Sequence, residues 1–475
     1  MSDEVTHNCG LCVAHTLHDV YSFIGSLQHR GREAAGIAAI GDDRIDVIKW
    51  KGTVSRFELE DLYKIFPGFA HNNYHTFMAH VRYATRGKKE NILRDAHPQV
   101  IGGKTIERGD HTIILDCESV AVHNGQVAEE YFNEIDKNDL KTECDTEAFL
   151  HYYQKKGEYE ILRQIPAAYT IAIADKRKKE IIVLRDRTGV KPGVLGWKDS
   201  KFCVTSEDIA LRKNGGKFIE DLIPGCAYYL APNGNYRKEK IVEQKPAYCF
   251  FEYNYIADVD SVLNGVSVRK IRRSLGDVLA EEFHPKEIDL VTFLPRCPEV
   301  AARAYAEKIA LPFAPVFYKV RGERSFQGST SADREKSINE NLYLLPGMDE
   351  RLKGQTVVVI DDSIIRGNNS RRGRYLLYEV AGVKEAHFAN YTPELCITGD
   401  DGIDRGCTRG VDMPPTPPPG EEYIARGRTR EEINQKMRAP VDFISSNGML
   451  NSFERLGIPR ENLCYYCIGG NKNFK

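Results

Sequence analysis

Val357-Val358-Val359-Ile360-Asp361-Asp362-Ser363-Ile364-Ile365-Arg366-Gly367-Asn368-Asn369 is the stretch that decides the fold. Four consecutive β-branched apolar residues read as a strand buried on both faces, as in a parallel sheet. Two carboxylates end it, a short polar turn with Gly367 follows, and Ser370-Arg371-Arg372 open a predicted helix. In open α/β sheets the ligand crevice lies at the carboxyl ends of the strands. A turn rich in N–H groups that closes on a helix N-terminus holds phosphate. Adjacent carboxylates repel phosphate but accept charge-assisted hydrogen bonds from the hydroxyls of an attached sugar. Strand, acid pair and turn together predict a ribose 5-phosphate site. The plain alternative is a core strand ending in two solvated aspartates, and the order of the parts weighs against it.

The chain of 475 residues exceeds what one core supports, so two domains with attachments are expected. Lys and Arg number 66 against 68 acids, a balance that offers no electrostatic case for nucleic acid. No apolar run approaches the ~20 residues of a membrane span. Residues 1–8 are polar and lack the apolar segment of a secretory signal. Twelve cysteines in such a chain point to a reducing cytoplasm, where they act as small hydrophobes, nucleophiles or metal ligands.

Upstream lie Asn8-Cys9-Gly10-Leu11-Cys12, then Gln28-His29-Arg30-Gly31-Arg32-Glu33, His80-Val81-Arg82-Tyr83-Ala84-Thr85, Val122-His123-Asn124-Gly125 and Cys144-Asp145-Thr146-Glu147. Between and after them run short alternating segments such as Tyr169 to Ala174 and Ile181 to Leu184, read as strands of packed sheets. This ordered set, from Cys9 to about Gly225, closely resembles the N-terminal-nucleophile (Ntn) glutaminase domain of class II glutamine amidotransferases. The resemblance implies that Cys9 is the nucleophile and that residues 1–8 are a leader removed between Asn8 and Cys9. The chemistry supplies a reason. A thiol of ordinary pKa ~8.5 needs a base, and a free α-amine with pKa ~7.7–8.0 is one poised near neutrality on the same residue.

The resemblance further implies that Arg82 grips the α-carboxylate of glutamine and Asp145 its α-ammonium. Asn124 and the Gly125 N–H form the oxyanion hole, and Arg30 with Gly31 shapes the glutamine pocket. Cys12, Cys117, Cys203 and Cys226 have no matching role and read as packing residues. Each motif alone has a bland reading, since Asn-Gly is a common hairpin turn; the ordered set does not.

The character changes near Gln244-Lys245-Pro246. Beyond it, helix-like segments alternate with apolar strands at Leu290 to Leu294, Val316 to Tyr318 and the stretch quoted first, the rhythm of a parallel sheet. Phe251-Glu252-Tyr253, Gly265-Val266-Ser267-Val268 and Asp361 to Gly367 resemble one family over nearly the whole chain: the glutamine phosphoribosylpyrophosphate amidotransferases, or amidophosphoribosyltransferases.

The expected organisation is an α+β Ntn domain of stacked sheets between helices over 9–245. An α/β phosphoribosyltransferase domain over 246–428 and a helical tail over 429–475 follow. The implied activity is glutamine hydrolysis at Cys9, with ammonia passing to the second site to displace pyrophosphate from phosphoribosylpyrophosphate (PRPP). The product, 5-phosphoribosylamine, opens purine synthesis. Asp361 and Asp362 would hold the ribose and Mg2+, and Ser363, Arg366, Gly367, Asn368 and Asn369 the phosphate. Arg321, Arg324 and Phe326 fall where the family has a closing loop. The resemblance also implies a homo-oligomer, tetramer or dimer, and purine-nucleotide inhibitors.

Asn368-Asn369 departs from the two threonines usual there, though amides still donate to phosphate. Arg296-Cys297 stands where the family places a magnesium contact, and thiol is a poor ligand for a hard ion. Asn339-Glu340-Asn341 lacks the expected bases near pyrophosphate. These changes motivate a second reading, ammonia transfer to a different phosphoribosyl-type acceptor. A third, an idle regulatory paralogue, runs against the presence of Cys9, Arg82, Asn124 and Asp145 together.

Cys464-Tyr465-Tyr466-Cys467 is a C-x-x-C pair that alone reads as redox site, zinc half-site or chance. The resemblance to family members that carry a [4Fe–4S] cluster implies two further ligands, Cys249 and Cys407. Zinc accepts the same four thiolates and is the rival. Cys396 lies outside the matching motif. Thr429 with Glu432 predicts a capping box for one more helix.

Overall fold

The computed structural model describes residues 9–70, 74–82, 91–319, 341–407, 409, 411 and 413–470. In the first half thirteen strands hydrogen-bond into one antiparallel network. They are β1 (Gly10–Ala14), β2 (Ala34–Ile40), β3 (Ile45–Lys51), β4 (Thr76–Arg82), β5 (Gln99–Glu107), β6 (His111–Gln126), β7 (Ala168–Asp175), β8 (Ile181–Arg185), β9 (Val194–Lys198), β10 (Lys201–Thr205), β11 (Lys217–Asp221), β12 (Cys226–Leu230) and β13 (Tyr236–Lys240). The order is β11-β9-β10-β1-β4-β2-β3-β6-β7-β8-β12-β13, with β5 on β6. The sixteen-residue β6 pairs with β3 through Ile113 and Ile114 and with β7 from Ser119 to Gln126, which joins two layers.

Side-chain alternation sorts the layers. Leu11 and Val13 of β1 share an inner core with Met78, Val122, Ala172 and Val183. Cys12 and Ala14 face outward to the helix Leu17–Ser26 and its Val20, Phe23 and Ile24. On the other side Tyr169, Ile171 and Ile173 of β7 meet Phe149 and Leu150 of the helix Asp145–Lys156. The result is two sheets between helices. Both faces of the central strands β1, β2, β4, β7 and β8 are buried, which is why these runs are more apolar than a half-exposed sheet allows.

The second half holds a four-stranded parallel sheet in the order Leu290–Phe293, Thr356–Asp361, Glu385–Asn390, Val441–Phe443. Val358 and Ile360 pack toward the helices Val268–Glu282, Glu299–Lys308 and Ser446–Glu454. Val357 and Val359 pack on Leu377, Ile433 and Met437. The unbroken apolar run thus has a helical cover on each face.

Three expectations are corrected. The expected helical tail over 429–475 is, in its described residues up to 470, no separate unit: Val441–Phe443 is the edge strand of the parallel sheet, and Leu463–Cys464 pairs in parallel with Tyr248–Cys249. One shared core absorbs Phe453, Leu463 and Cys467, so burial joins the tail to the domain. The segment near Val316 stays out of the parallel sheet; Phe317–Lys319 forms an antiparallel ribbon with Leu342–Leu344. The helix after the acid pair opens at Asn368, because Gly367 adopts a left-handed conformation (φ 77°) as its N-cap. The capping box of Thr429 and Glu432 is present on the helix Arg430–Met437. Residues 1–8, Arg321, Arg324, Phe326, Asn339 and Glu340 lie outside the described residues.

Candidate functional site

Cys9 is fully buried immediately before β1. The β1–β4 register pairs Gly10 with Val81, so one further residue brings Cys9 to the end of β4 where Arg82 lies. The turn Gln28–Arg30 closes on this end, and Gly31 packs so tightly on Arg82 that an added Cβ would sit 2.4 Å from its carbonyl carbon. Arg30 donates Nε to the Cys9 carbonyl at 2.9 Å. Its two terminal nitrogens are taken by protein carboxylates: Nη1 by Glu207 and Nη2 by Glu252, at 3.0 Å from each oxygen. Arg30 therefore forms a wall behind Cys9. The opposed charges hold its guanidinium above its ordinary value despite burial, and His29 and Arg30 hold Glu207 far below the usual carboxylate range against its burial.

Arg82 is 3% exposed, donates Nη1 to the Ile92 carbonyl at 3.0 Å and lies 3.9 Å from Asp95 through Nη2. Its Nε has no hydrogen-bond partner among the described residues. At the end of β6, Asn124 pairs in register with Thr170 and Gly125 with Tyr169. The Asn124 carboxamide is buried with neither polar atom bonded among the described residues. A buried, unpaired amide costs about 1–3 kcal/mol, and a ligand that uses it removes that cost.

Asp145 opens the helix Asp145–Lys156 and accepts the Val127 N–H at 2.9 Å, which ties the helix start to the end of β6. Burial pushes its carboxyl up to about 6, opposed by the hydrogen bonds of Val127, Thr146 and Cys144. A buried anion waiting for a cation behaves in this way. Nothing among the described residues places a cation on Asp145, and its nearest basic group, His123 Nδ1 at 3.8 Å, is held neutral with a pKa lowered to about 3 by burial.

In the second domain Asp361 is the last residue of its strand. Its Oδ1 accepts the Asp362 N–H at 2.9 Å and its Oδ2 the Ser370 hydroxyl at 3.2 Å; Ser363 donates to Asp362 at 2.8 Å. Burial and then Asp362 raise the Asp361 carboxyl well above its ordinary value. Lys319, Cys297 and Tyr391 share this electrostatic neighbourhood. Gly367, Asn368 and Asn369 form the turn and first helical residues beyond the acid pair, while the Arg371 guanidinium donates to Asn368 Oδ1 at 3.2 Å. Arg366, expected at the phosphate, is 9% exposed, and its Nε donates to Glu421. Arg296 donates to the Lys319 carbonyl at 3.3 Å and Cys297 to that of Tyr255 at 3.5 Å.

Cys249 and Cys464 are ladder neighbours, and the Cys396 N–H donates to the Cys467 carbonyl at 2.8 Å. Burial raises the thiols of Cys249 and Cys467. Cys464 and Cys407 add to the rise at Cys249, and Cys407, Cys464, Cys396 and Cys249 to that at Cys467. The four expected ligands thus share one neighbourhood, with Cys396 as a fifth thiol. Among the described residues no group of three or more His, Cys, Asp or Glu side chains is already drawn together tightly enough to grip an ion.

Sequence reading missed Glu207 and gave Glu252 no role. Both lie far from Cys9 in the chain, and only the buried Arg30 between them ties them to it.

A domain of two sheets between helices, with a cysteine before its first strand, joined to a parallel sheet ending in an acid pair defines a glutamine amidotransferase fused to a phosphoribosyltransferase. The match to the model of the glutamine amidotransferase domain spans residues 105–238. The chain is 30% identical to the amidophosphoribosyltransferase of Archaeoglobus fulgidus over 458 residues, 94% of this chain and 93% of that one. It is 28% identical to the Bacillus subtilis amidophosphoribosyltransferase, covering 92% and 86%. It superposes on the solved glutamine PRPP amidotransferase of B. subtilis, complexed with ADP and GMP, with a TM-score of 0.77 and 26% identity over 98% of this chain and 96% of that one. A solved allosteric regulatory enzyme of purine biosynthesis matches with a TM-score of 0.78 and 25% identity, over 98% and 95%. The chain belongs to the amidophosphoribosyltransferase family, and it is an enzyme that combines glutamine amidotransferase and pentosyltransferase chemistry.

Proposed function

We propose that this chain turns the family reaction with the residues assembled above. Glutamine hydrolysis at Cys9 releases ammonia, which displaces pyrophosphate from C1 of PRPP to give 5-phosphoribosylamine. The observation that carries the assignment is the buried Asn124 carboxamide without a partner among the described residues, at the end of the strand whose fold places it in the nucleophile domain.

In this reading the Cys9 thiolate attacks the glutamine carboxamide and the tetrahedral oxyanion rests on Asn124 Nδ2 and the Gly125 N–H. Arg82 binds the substrate carboxylate through its terminal nitrogens and Nε, and Asp145 binds the ammonium. Removal of residues 1–8 turns the Cys9 nitrogen into the amine base. At the second site Asp361 and Asp362 hold the ribose hydroxyls, and the N–H groups of Ser363, Arg366, Gly367, Asn368 and Asn369 hold the 5-phosphate.

The acid pair supplies hard oxygen donors that fit Mg2+, which when bound neutralises charge on the departing pyrophosphate. Cys249, Cys407, Cys464 and Cys467 are the thiols we assign to a [4Fe–4S] cluster. The mutual electrostatic influence of these thiols supports one shared group, with zinc as the rival to the cluster, and that group would clamp the C-terminal segment to the start of the second domain.

Among the described residues the twelve thiols form no disulfide and no helix is long and apolar enough to cross a membrane, which supports a cytoplasmic enzyme. The relative that carries ADP and GMP supports inhibition by purine nucleotides. Phe218 and Ile219, 41% and 43% exposed on the edge strand β11, support a homo-oligomer.

Cys9→Ala provides the test. It is expected to abolish glutamine-dependent formation of pyrophosphate from PRPP and to retain the reaction driven by added ammonia. Undiminished glutamine hydrolysis by Cys9→Ala would overturn the assignment.

A further inference from the structure

Behind Asp145 lies a cluster that the reaction as described does not use. His80, His97, His123 and Cys144 are buried side by side; the rings of His80 and His97 are 4.1 Å apart and those of His97 and His123 6.4 Å. They come from β4, the approach to β5, β6 and the residue before the helix Asp145–Lys156.

One backbone carbonyl sets the direction of every proton in it. His80 Nε2 lies 2.9 Å from the His123 carbonyl oxygen and 2.8 Å from His97 Nδ1. The carbonyl only accepts, so His80 Nε2 carries a proton, and His97 Nδ1 faces that same N–H as an acceptor. A neutral His97 then carries its own proton on Nε2, which lies 3.3 Å from Cys144 Sγ. The sulfur accepts there, and its S–H points onward to Asp145 Oδ1 at 3.8 Å. Burial, with the charge of Asp145, pushes the Cys144 thiol up to about 12, so it keeps the proton it donates. Burial likewise lowers His80 to about 3, which keeps that ring uncharged. His123 completes the surround, with Nδ1 3.0 Å from the Thr146 hydroxyl, and Lys49 stands nearby, donating to the Ala96 carbonyl at 2.9 Å.

We propose that His97 and Cys144 are positioning residues for glutamine: a one-way relay from His80 through His97 to Cys144 holds the Asp145 carboxylate in the orientation that receives the substrate ammonium. The relay delivers a hydrogen bond without a compensating charge, so Asp145 remains the anion that the ammonium seeks. The inference rests on the assignment of Asp145 to glutamine binding.

The test measures kcat and KM for glutamine hydrolysis. Cys144→Ala and His97→Leu are each expected to raise KM for glutamine about ten- to a hundredfold with kcat within about twofold, the scale of one lost hydrogen bond to a charged group. Cys144→Ser, whose hydroxyl both accepts and donates, and His97→Gln, whose amide still donates, restore KM. The double variant Cys144→Ala/His97→Leu is no worse than either single one, because both break the same chain. A purely structural role would instead lower the melting temperature with no rescue by serine.

Asp145→Asn separates the two readings. If it leaves KM unmoved, the assignment of Asp145 falls and takes the relay with it. If it raises KM while Cys144→Ala does not, or if Cys144→Ser fails to rescue, the relay alone is overturned.

Discussion

The Arg30 guanidinium meets the Glu252 carboxylate at 3.0 Å on both oxygens, although 222 residues separate them. The same guanidinium holds the Cys9 carbonyl, and Lys191 Nζ stands 3.7 Å from Glu252. One buried ion cluster therefore joins Cys9 in the first domain to the first turn of the second. Breaking a buried pair strands a charge at a cost of about 3–5 kcal/mol. Glu252→Ala is expected to lose stability of that order and to split thermal unfolding into two transitions, one per domain. Differential scanning calorimetry reads both effects, and a single unshifted transition would contradict the coupling.

Glutamine binding gains a pH dependence from Asp145. Its carboxyl, raised to about 6 by burial, must be ionised to pair with the ammonium, and pairing lowers its pKa. Affinity is therefore fully present above about 6 and is lost as pH falls through that value. KM for glutamine should rise about tenfold per unit below it. A KM profile that is flat between about pH 5 and 8 would rule this out; Asp145→Asn should flatten it.

Asn124→Ala removes the proposed oxyanion donor, which acts only as charge develops. The expected loss is about 10²–10³ in kcat for glutamine hydrolysis with little change in KM. Steady-state kinetics with glutamine, alongside the ammonia-driven reaction as a control for folding, gives the answer. A rise in KM with kcat preserved would move Asn124 from the oxyanion to the ground-state pocket.

The thiol neighbourhood makes a prediction about metal content. Protein purified without oxygen should carry about four irons per chain, and Cys467→Ser should lose them together with the visible absorbance of the cluster. About one zinc per chain and no iron would assign the site to the rival metal. Because Cys249 and Cys464 also pair as strands, the variant should expose the C-terminal segment to protease before the rest of the chain unfolds.

Much of this was readable from local pattern. Val357 to Ile360 announced a strand covered on both faces, since only a strand between two helical layers tolerates such a run. The placing of Asp361 and Asp362 at its carboxyl end needed no tertiary information, and neither did the capping box at Thr429. Other features depended on partners distant in the chain. Arg366 finds its carboxylate partner in Glu421, 55 residues further along the chain. The tail became part of the domain because Val441–Phe443 found an open edge at Glu385–Asn390. The buried surroundings of Arg30, Asp145 and Cys144 come from segments up to 222 residues apart. By itself, the sequence determined the strands at Tyr169 to Ala174, Ile181 to Leu184, Leu290 to Leu294 and Val357 to Ile360 and the acid pair that ends the last, because backbone sterics and apolar periodicity act over a few residues. Tertiary structure alone decided which charges are buried together, because desolvation and pairing depend on what the rest of the chain packs around them.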